Sequence, residues 1–255
     1  MTASKKVLYS LIFGMAGLAV ALFFSQPNLR PEPKPITGEV SETAKDPPLS
    51  EDREEPPPQV LPKFVRHDVP FTVQAPLANW HDARYQNACE EASVLMAGKW
   101  LLGQKLSAEQ ANSEIADMVV FEQENYGFYI DSSAEDTARF FRDYYSYEKI
   151  YTQDAASTDD IKRELAKGNL VLTPMDGRKL GNPYYTPPGP ERHMLVLIGY
   201  DDDRGVFITN DPGTRRGEGL VYDYDVLFSA IRDYASGDHK PIEKLVKRMI
   251  VVEGR

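Results

Sequence analysis

Residues 85–93 read Tyr85-Gln86-Asn87-Ala88-Cys89-Glu90-Glu91-Ala92-Ser93 and contain the only cysteine of this 255-residue chain. Apolar residues then recur at helical spacing until a glycine ends the pattern: Ala92, Leu95, Met96, Trp100 and Gly103. The spacing predicts a helix over residues 88–102 with Cys89 in its first turn. The N-terminal end of a helix favours a thiolate, so Cys89 is a candidate nucleophile. The alternative is a buried structural thiol, which is common for free cysteines.

Two polar residues further along the chain could serve such a nucleophile. His193 precedes an apolar strand predicted at 194–200, and Asp211 follows a second strand predicted at 206–209. The turn predicted at 201–205 reverses the chain and would bring His193 and Asp211 to one sheet edge. A histidine can act as base and acid, and a carboxylate can orient it. The alternative for Asp211 is structural, since Asp-Pro-Gly is favourable turn chemistry.

At these residues the sequence resembles the cysteine peptidases of family 39 and the broader group of bacteriocin-leader (double-glycine) peptidase-like proteins. The resemblance extends over residues 69–219 and is carried by four motifs: Val69-Pro70-Phe71-Thr72-Val73-Gln74, predicted to be a strand; Ala88-Cys89-Glu90-Glu91-Ala92-Ser93; His193 with Gly199-Tyr200-Asp201; and Asn210-Asp211-Pro212-Gly213. It implies a papain-like α+β fold, with Cys89 at a helix N-terminus in an N-terminal helical half. It also implies a C-terminal antiparallel sheet that carries His193 and Asp211 as the rest of a Cys-His-Asp triad.

The sequence departs from the family pattern at two places. The family's oxyanion glutamine usually stands several residues before the cysteine, whereas Gln86 is three residues before Cys89 and Gln74 is much further away. Gln86 is the preferred candidate, and the backbone N–H of Cys89 is the alternative donor. Glu90 and Glu91 suit a helix N-terminus but oppose a nearby thiolate. If their side chains point away the conflict is small; if not, Cys89 is a slow nucleophile.

The rest of the folded part also reads as α+β, with helices mostly in the first half and strands mostly in the second. Further helices are predicted at 107–122, 133–144, 161–167 and 225–234, and further strands at 170–173, from Val221 onward, and at 248–252. The loop at 176–192 is rich in proline and glycine and precedes His193 directly. We expect it to form a rim of the substrate cleft, where Tyr184, Tyr185 and Pro187 either contact substrate or pack the loop.

The first 62 residues differ in character from the rest of the chain. Lys5 and Lys6 precede an apolar run at 7–24, which predicts an uncleaved signal anchor over residues 1–24 with a cytoplasmic N-terminus. Residues 25–62 are rich in proline and acidic residues, and they predict a disordered linker. The folded domain is expected over residues 63–255. These features predict a single-pass membrane protein whose C-terminal domain lies on the extracytoplasmic side.

The composition excludes several classes of function. With 29 Lys and Arg against 39 Asp and Glu, the formal net charge of −10 argues against a nucleic-acid partner. One cysteine excludes both an internal disulfide and a cysteine-rich zinc site, and no metal or organic cofactor is expected. The sequence therefore predicts an exported, membrane-tethered thiol hydrolase that cleaves a peptide or amide bond in a peptide or protein substrate. The alternatives are a transpeptidase or cell-wall amidase on the same scaffold, or an inactive peptide- or partner-binding domain.

Overall fold

The computed structural model describes residues 60–255. The predicted anchor at 1–24, and the predicted linker at 25–62 except for its last three residues, lie outside the described residues. The helices are α1 (Ala83–Gln86), α2 (Cys89–Leu102), α3 (Ala108–Tyr126), α4 (Ala134–Tyr145), α5 (Thr158–Ala166) and α6 (Tyr224–Ala230), with a 3-10 turn at Gly177–Leu180. The strands are β1 (Phe64–Arg66), β2 (Ile150–Asp154), β3 (Leu170–Met175), β4 (His193–Asp201), β5 (Val206–Asn210), β6 (Leu220–Asp223) and β7 (Arg248–Val252).

All the strands join one antiparallel sheet in the order β2-β7-β3-β4-β5-β6, and β1 pairs with the end of β4. Side chains alternate between its faces: Met194, Val196 and Ile198 pack in one core, whereas Leu195 and Leu197 pack in another. The first core contains α2, α3 and α4, and the second contains α5 and α6. Because both faces are covered, β4 reads as one continuous apolar run in the sequence.

Helix α2 is the central helix of the first layer and is buried on almost every side. It packs on β4, α3 and α4. A Cβ atom on Gly98 would overlap the ring of Tyr145, so glycine allows this close approach of α2 to α4. Gly103, with φ of 65°, ends the helix as predicted. These contacts fix the position of Cys89, the first residue of α2.

The predicted α+β fold, with helices leading and an antiparallel sheet following, is confirmed, and several element boundaries need correction. The strand predicted at Val69–Gln74 is wrong, because β1 lies at Phe64–Arg66 and residues 67–73 form no strand. Pro70 has no N–H to donate to a ladder. Helix α6 ends at Ala230 rather than 234, because Ile231 forms a bridge with Met175. Helix α1 and strand β2 were not predicted.

No helix within residues 60–255 combines the length and the apolar character needed to cross a bilayer.

Candidate active site

Cys89 begins α2 and is almost buried, with 8% of its surface exposed at the floor of a cleft of about 1070 Å³. The N-cap residue, Ala88, has no side chain that caps the helix. The N–H of Cys89, first in the helix, has no acceptor one turn earlier. It is therefore placed to donate to an anion that forms beside the sulfur.

The side chain of Glu90 faces the sulfur of Cys89 rather than solvent. The Cys89 thiol donates to Oε2 of Glu90 at 2.9 Å, while Oε1 accepts from the Tyr234 hydroxyl at 2.8 Å and the Ser132 N–H at 3.2 Å. Burial first, and then the charge of Glu90, raise the pKa of Cys89 well above its usual range. Glu90 therefore opposes the formation of a thiolate on Cys89, as the sequence analysis allowed. In this structure Cys89 is a thiol that is hydrogen-bonded to the carboxyl group of Glu90, and burial raises the pKa of that carboxyl group as well.

Replacing Glu90 with glutamine is expected to make Cys89 more reactive. The substitution removes the negative charge and provides an amide N–H that can donate to a thiolate, and both changes lower the thiol pKa. A drop of about one pKa unit corresponds to an alkylation rate at pH 7 about tenfold higher. The measurement is the second-order rate constant with iodoacetamide, with Glu124→Gln, exposed on α3, as the matched control. A rate equal to that of the wild type would show that Glu90 does not govern the proton on Cys89.

Glu91 points away from the cleft, into the helical layer. Its carboxyl group lies against that of Glu122 on α3, and no other side chain among residues 60–255 donates to it. Burial, followed by charge repulsion from neighbouring carboxylates, raises the pKa of Glu91 well above its usual range. Burial also raises that of Glu122, to about 8. A raised pKa on both sides allows one carboxyl to keep its proton and to donate it to the other.

Glu122→Gln is expected to stabilise the protein at pH 8 and to have little effect at pH 5. A carboxyl group whose pKa is raised in the folded state contributes stability below its unfolded pKa, and this stability is lost as pH rises towards about 8. Glutamine has the shape of the protonated carboxyl group and cannot ionise, so the variant does not lose this stability as pH rises. The melting temperature measured at both pH values tests this, at roughly 2–4 °C per kcal/mol for a domain of this size. If Glu122→Gln shifts Tm no more than the exposed control Glu124→Gln, the buried pair does not titrate as described.

His193 and Asp211 lie together at one edge of the sheet. His193 is the first residue of β4, Asp211 follows β5, and these two strands are paired. The imidazole Nε2 lies 2.8 Å from Oδ1 of Asp211, and both side chains are buried. Because Nε2 is held by the carboxylate, Nδ1 is the ring nitrogen left for a reacting group.

Asp211 is held by four further donors. Its Oδ2 accepts from the hydroxyls of Tyr185 and Tyr222, both at 2.7 Å, and from Asn182 Nδ2 at 3.1 Å; its Oδ1 accepts from the Gly213 N–H at 2.9 Å. Burial alone would raise the pKa of Asp211. The charge and hydrogen bond of His193 and the two tyrosine hydroxyls outweigh burial and lower it to about 2. The carboxylate therefore stays charged throughout the physiological pH range.

Cys89 and His193 line the same cleft, although their side chains are not hydrogen-bonded to each other in this structure. The N–H of Met194, the residue after His193, lies against the sulfur and is the contact that favours the thiolate. The start of β4 therefore adjoins the start of α2. A thiol that turned away from Glu90 would remain beside the strand that carries His193.

The two candidate oxyanion glutamines are placed differently. Gln86 is exposed at the cleft, and its amide donates to the carbonyl of Trp80. Gln74 is buried but also lines the cleft, and its Nε2 donates to the carbonyls of Tyr85 at 3.1 Å and Gln86 at 2.9 Å. In this arrangement Gln74 fixes the turn that leads into Cys89. Both amides donate to backbone carbonyls, whereas the N–H of Cys89 is a donor that the backbone itself places beside the sulfur.

The loop at 176–192 lies on the cleft rim. Tyr184 is 44% exposed and lines the cleft, whereas the Tyr185 hydroxyl binds Asp211; Pro187 is not among the lining residues. Sequence reasoning missed the role of Tyr185, Tyr222 and Asn182 around Asp211. Their separations from Asp211, from 11 to 29 residues, follow no local pattern.

A cysteine at the start of a central helix, beside a histidine and an aspartate at the edge of an antiparallel sheet, defines the papain-like class of cysteine peptidase folds. The model of the Peptidase_C39 like family matches residues 66–237, which is more than half of the chain. The chain belongs to this family, as the sequence motifs predicted.

Two solved structures are similar to the chain. One is the crystal structure of a C39-like peptidase from Bacillus anthracis, with 14% identity, coverage of 76% of this chain and 99% of that one, and a TM-score of 0.49. The other is xylellain, a cysteine protease from Xylella fastidiosa, with 14% identity, coverage of 77% and 87%, and a TM-score of 0.32. No curated protein matches the chain significantly.

Proposed function

We propose that this protein is an exported, membrane-tethered thiol hydrolase that cleaves a peptide bond through Cys89, His193 and Asp211. The observation that carries the proposal is the placement of Cys89 and the Asp211-bound imidazole in one cleft. Family membership supports a peptide or protein substrate. The predicted anchor at 1–24 and the linker at 25–62 would hold the domain outside the cytoplasmic membrane.

The reaction proceeds in two halves. In the first, the Cys89 sulfur attacks the substrate carbonyl, and Nδ1 of His193 takes the thiol proton. The oxyanion that forms is stabilised by the Cys89 N–H at the helix N-terminus. The protonated His193 then donates this proton to the leaving amine, and a thioester remains on Cys89. In the second half, water attacks the thioester with His193 as base, which releases the acid and restores the thiol.

Glu90 sets the starting state of this reaction. Its carboxylate holds the thiol proton until substrate fills the cleft, so the sulfur must leave Glu90 before it reacts through His193. This predicts a nucleophile of low reactivity in the free enzyme. It does not change the roles of His193 and Asp211.

The second candidate function is a peptide-binding domain without catalysis. The hydrogen bond from Cys89 to Glu90, with the raised pKa of the thiol, favours it. The two candidates differ in whether bound peptide is cut.

The test is to incubate the full chain in detergent with a peptide mixture from a digested proteome and to identify new termini by mass spectrometry. The proposal expects cleavage by the wild type and none by Cys89→Ala. New amide products when a primary amine is added would indicate transpeptidation instead of hydrolysis. Peptide binding without cleavage by the wild type between pH 5 and pH 9 would establish the binding domain.

The anchor has a test of its own. The mass of the mature protein isolated from membranes should include residues 1–24. Loss of about the first two dozen residues would show a cleaved signal peptide and would overturn the tether.

A further inference from the structure

One wall of the cleft is the loop between β5 and β6, residues 211–219. The Asp211 N–H donates to the Gly217 carbonyl at 3.0 Å, and the Gly217 N–H donates to the Thr214 carbonyl at 3.1 Å. The N–H of Arg216 is bound by the Thr214 hydroxyl at 3.2 Å. These bonds close the loop on itself, so Arg215 and Arg216 project from a backbone that is held in place.

This loop touches the catalytic histidine. A Cβ atom on Gly213 would lie 3.0 Å from Cε1 of His193, so the backbone passes directly against the imidazole ring. Arg215 and Arg216 follow two and three residues later, and both line the cleft. The guanidinium of Arg216 lies over the ring of Tyr184, 5.0 Å from its centroid. The two arginines therefore belong to the same loop wall of the cleft as Gly213, whose backbone contacts the imidazole ring.

The acidic residues of the cleft already have arginine partners. Asp131 contacts Arg192 at 3.5 Å, and Glu191 contacts Arg192 at 3.2 Å and Arg178 at 3.3 Å. Arg215 and Arg216 are exposed, and no carboxylate within residues 60–255 lies at ion-pair distance from either of them. In a chain of net charge −10, two guanidinium groups without a carboxylate partner make this wall of the cleft locally positive.

We propose that Arg215 and Arg216 form a carboxylate-binding subsite for the leaving-group side of the substrate, an inference that rests on the proposed peptidase function. His193 must reach the leaving amine, so the residue that carries this amine passes the imidazole. A further residue extends the chain by about 3.3–3.6 Å, towards the loop. A planar guanidinium binds a carboxylate through two parallel hydrogen bonds.

A carboxylate at this place can have two sources. It is the side chain of Asp or Glu at the first or second position after the scissile bond, or it is the C-terminal carboxylate of a substrate that ends there. Both sources present the same group to the two arginines. Peptides with an amidated C-terminus distinguish the two sources, because they lack the terminal carboxylate but keep a side-chain carboxylate.

The first experiment uses peptides that the full-length wild type cleaves in the proteome-derived mixture. The best one is synthesised with Glu, Gln or Lys at each of the two positions after the cut, and also as a product-length peptide with a free or an amidated terminus. We expect kcat/KM for the carboxylate form to exceed that of the neutral form by about tenfold at low salt, and to fall as salt rises. The ratio is expected to approach one in the double variant Arg215→Gln/Arg216→Gln and to stay at the wild-type value in Arg204→Gln, on the distant β4–β5 turn.

Equal kcat/KM for the charged and neutral forms in the wild type would overturn the subsite, and so would a preference that survives in the double variant. If the double variant does not fold, the same ratio is measured in the single variants Arg215→Gln and Arg216→Gln. Circular dichroism checks that each of them is folded.

A second experiment separates this inference from the peptidase function. Cys89→Ala, as the full chain, is mixed with labelled random hexapeptides in which one position is fixed as Glu or Gln, and anisotropy reports binding. Stronger binding of the Glu pool, lost in Cys89→Ala/Arg215→Gln/Arg216→Gln, supports the subsite even if the wild type cleaves nothing. Equal binding of both pools rejects it even if the wild type is an active peptidase.

Discussion

Asp211→Ala is expected to lower the free energy of unfolding by about 3–5 kcal/mol and to abolish peptide cleavage. Asp211 is fully buried, and its two oxygens accept from His193, Tyr185, Tyr222 and Asn182 and from one backbone N–H. Alanine would leave all these donors without their acceptor. It would also free the imidazole to rotate. Urea unfolding monitored by circular dichroism measures the first effect, and kcat/KM for a cleaved peptide measures the second.

Asp211→Asn separates position from charge. Asparagine keeps an oxygen that can accept from Nε2 of His193, so we expect it to be the more stable of the two variants and to keep part of the activity. The lowered pKa of Asp211, about 2, also makes the stability of the wild type depend on pH. The ionised carboxylate contributes about 2 kcal/mol above the unfolded pKa, and this contribution is lost as pH falls through about 2. If Asp211→Ala unfolds at the same urea concentration as the wild type, the carboxylate is not the centre of this cluster.

His193→Ala is expected to reduce kcat/KM by about 10³-fold or more, because the base that takes the thiol proton and the acid that protonates the amine are lost together. Binding of the substrate should change little, since the imidazole is only one part of the cleft wall. The matched control is His239→Ala. His239 lines the same cleft, but its Nδ1 is bound to Asp131 at 2.8 Å. A loss of similar size in both variants would mean that His193 has no special role.

The residues that carry local signals were predictable from the sequence. Cys89 opens a helical pattern, and His193 and Asp211 flank two apolar strands joined by a short turn. Strand pairing then brings the two ends together by geometry alone. Strands β3, β4 and β7 were also found, because they are buried on both faces and read as unbroken apolar runs.

The rest depends on contacts between distant parts of the chain. The sequence places Glu90 next to Cys89, but Ser132 and Tyr234, which are 42 and 144 residues away, hold its carboxylate against the sulfur. In the same way, the side-chain donors around Asp211 come from the loop at 176–192 and from strand β6. Strand β2 is an edge strand with polar residues, Ile150–Asp154, so its pattern resembles a loop until β7 pairs with it.

The central claim is that His193 is the base for Cys89, and the rate of Cys89 alkylation by iodoacetamide as a function of pH tests it most directly. Because Glu90 holds the thiol in the free enzyme, the full chain is compared as Glu90→Gln and Glu90→Gln/His193→Ala, with the wild type as the reference. We predict that Glu90→Gln reacts at least about tenfold faster than Glu90→Gln/His193→Ala near pH 7, and that the thiol pKa rises when the imidazole is removed. Superimposable pH profiles for these two variants would contradict the account and would identify Cys89 as a structural thiol.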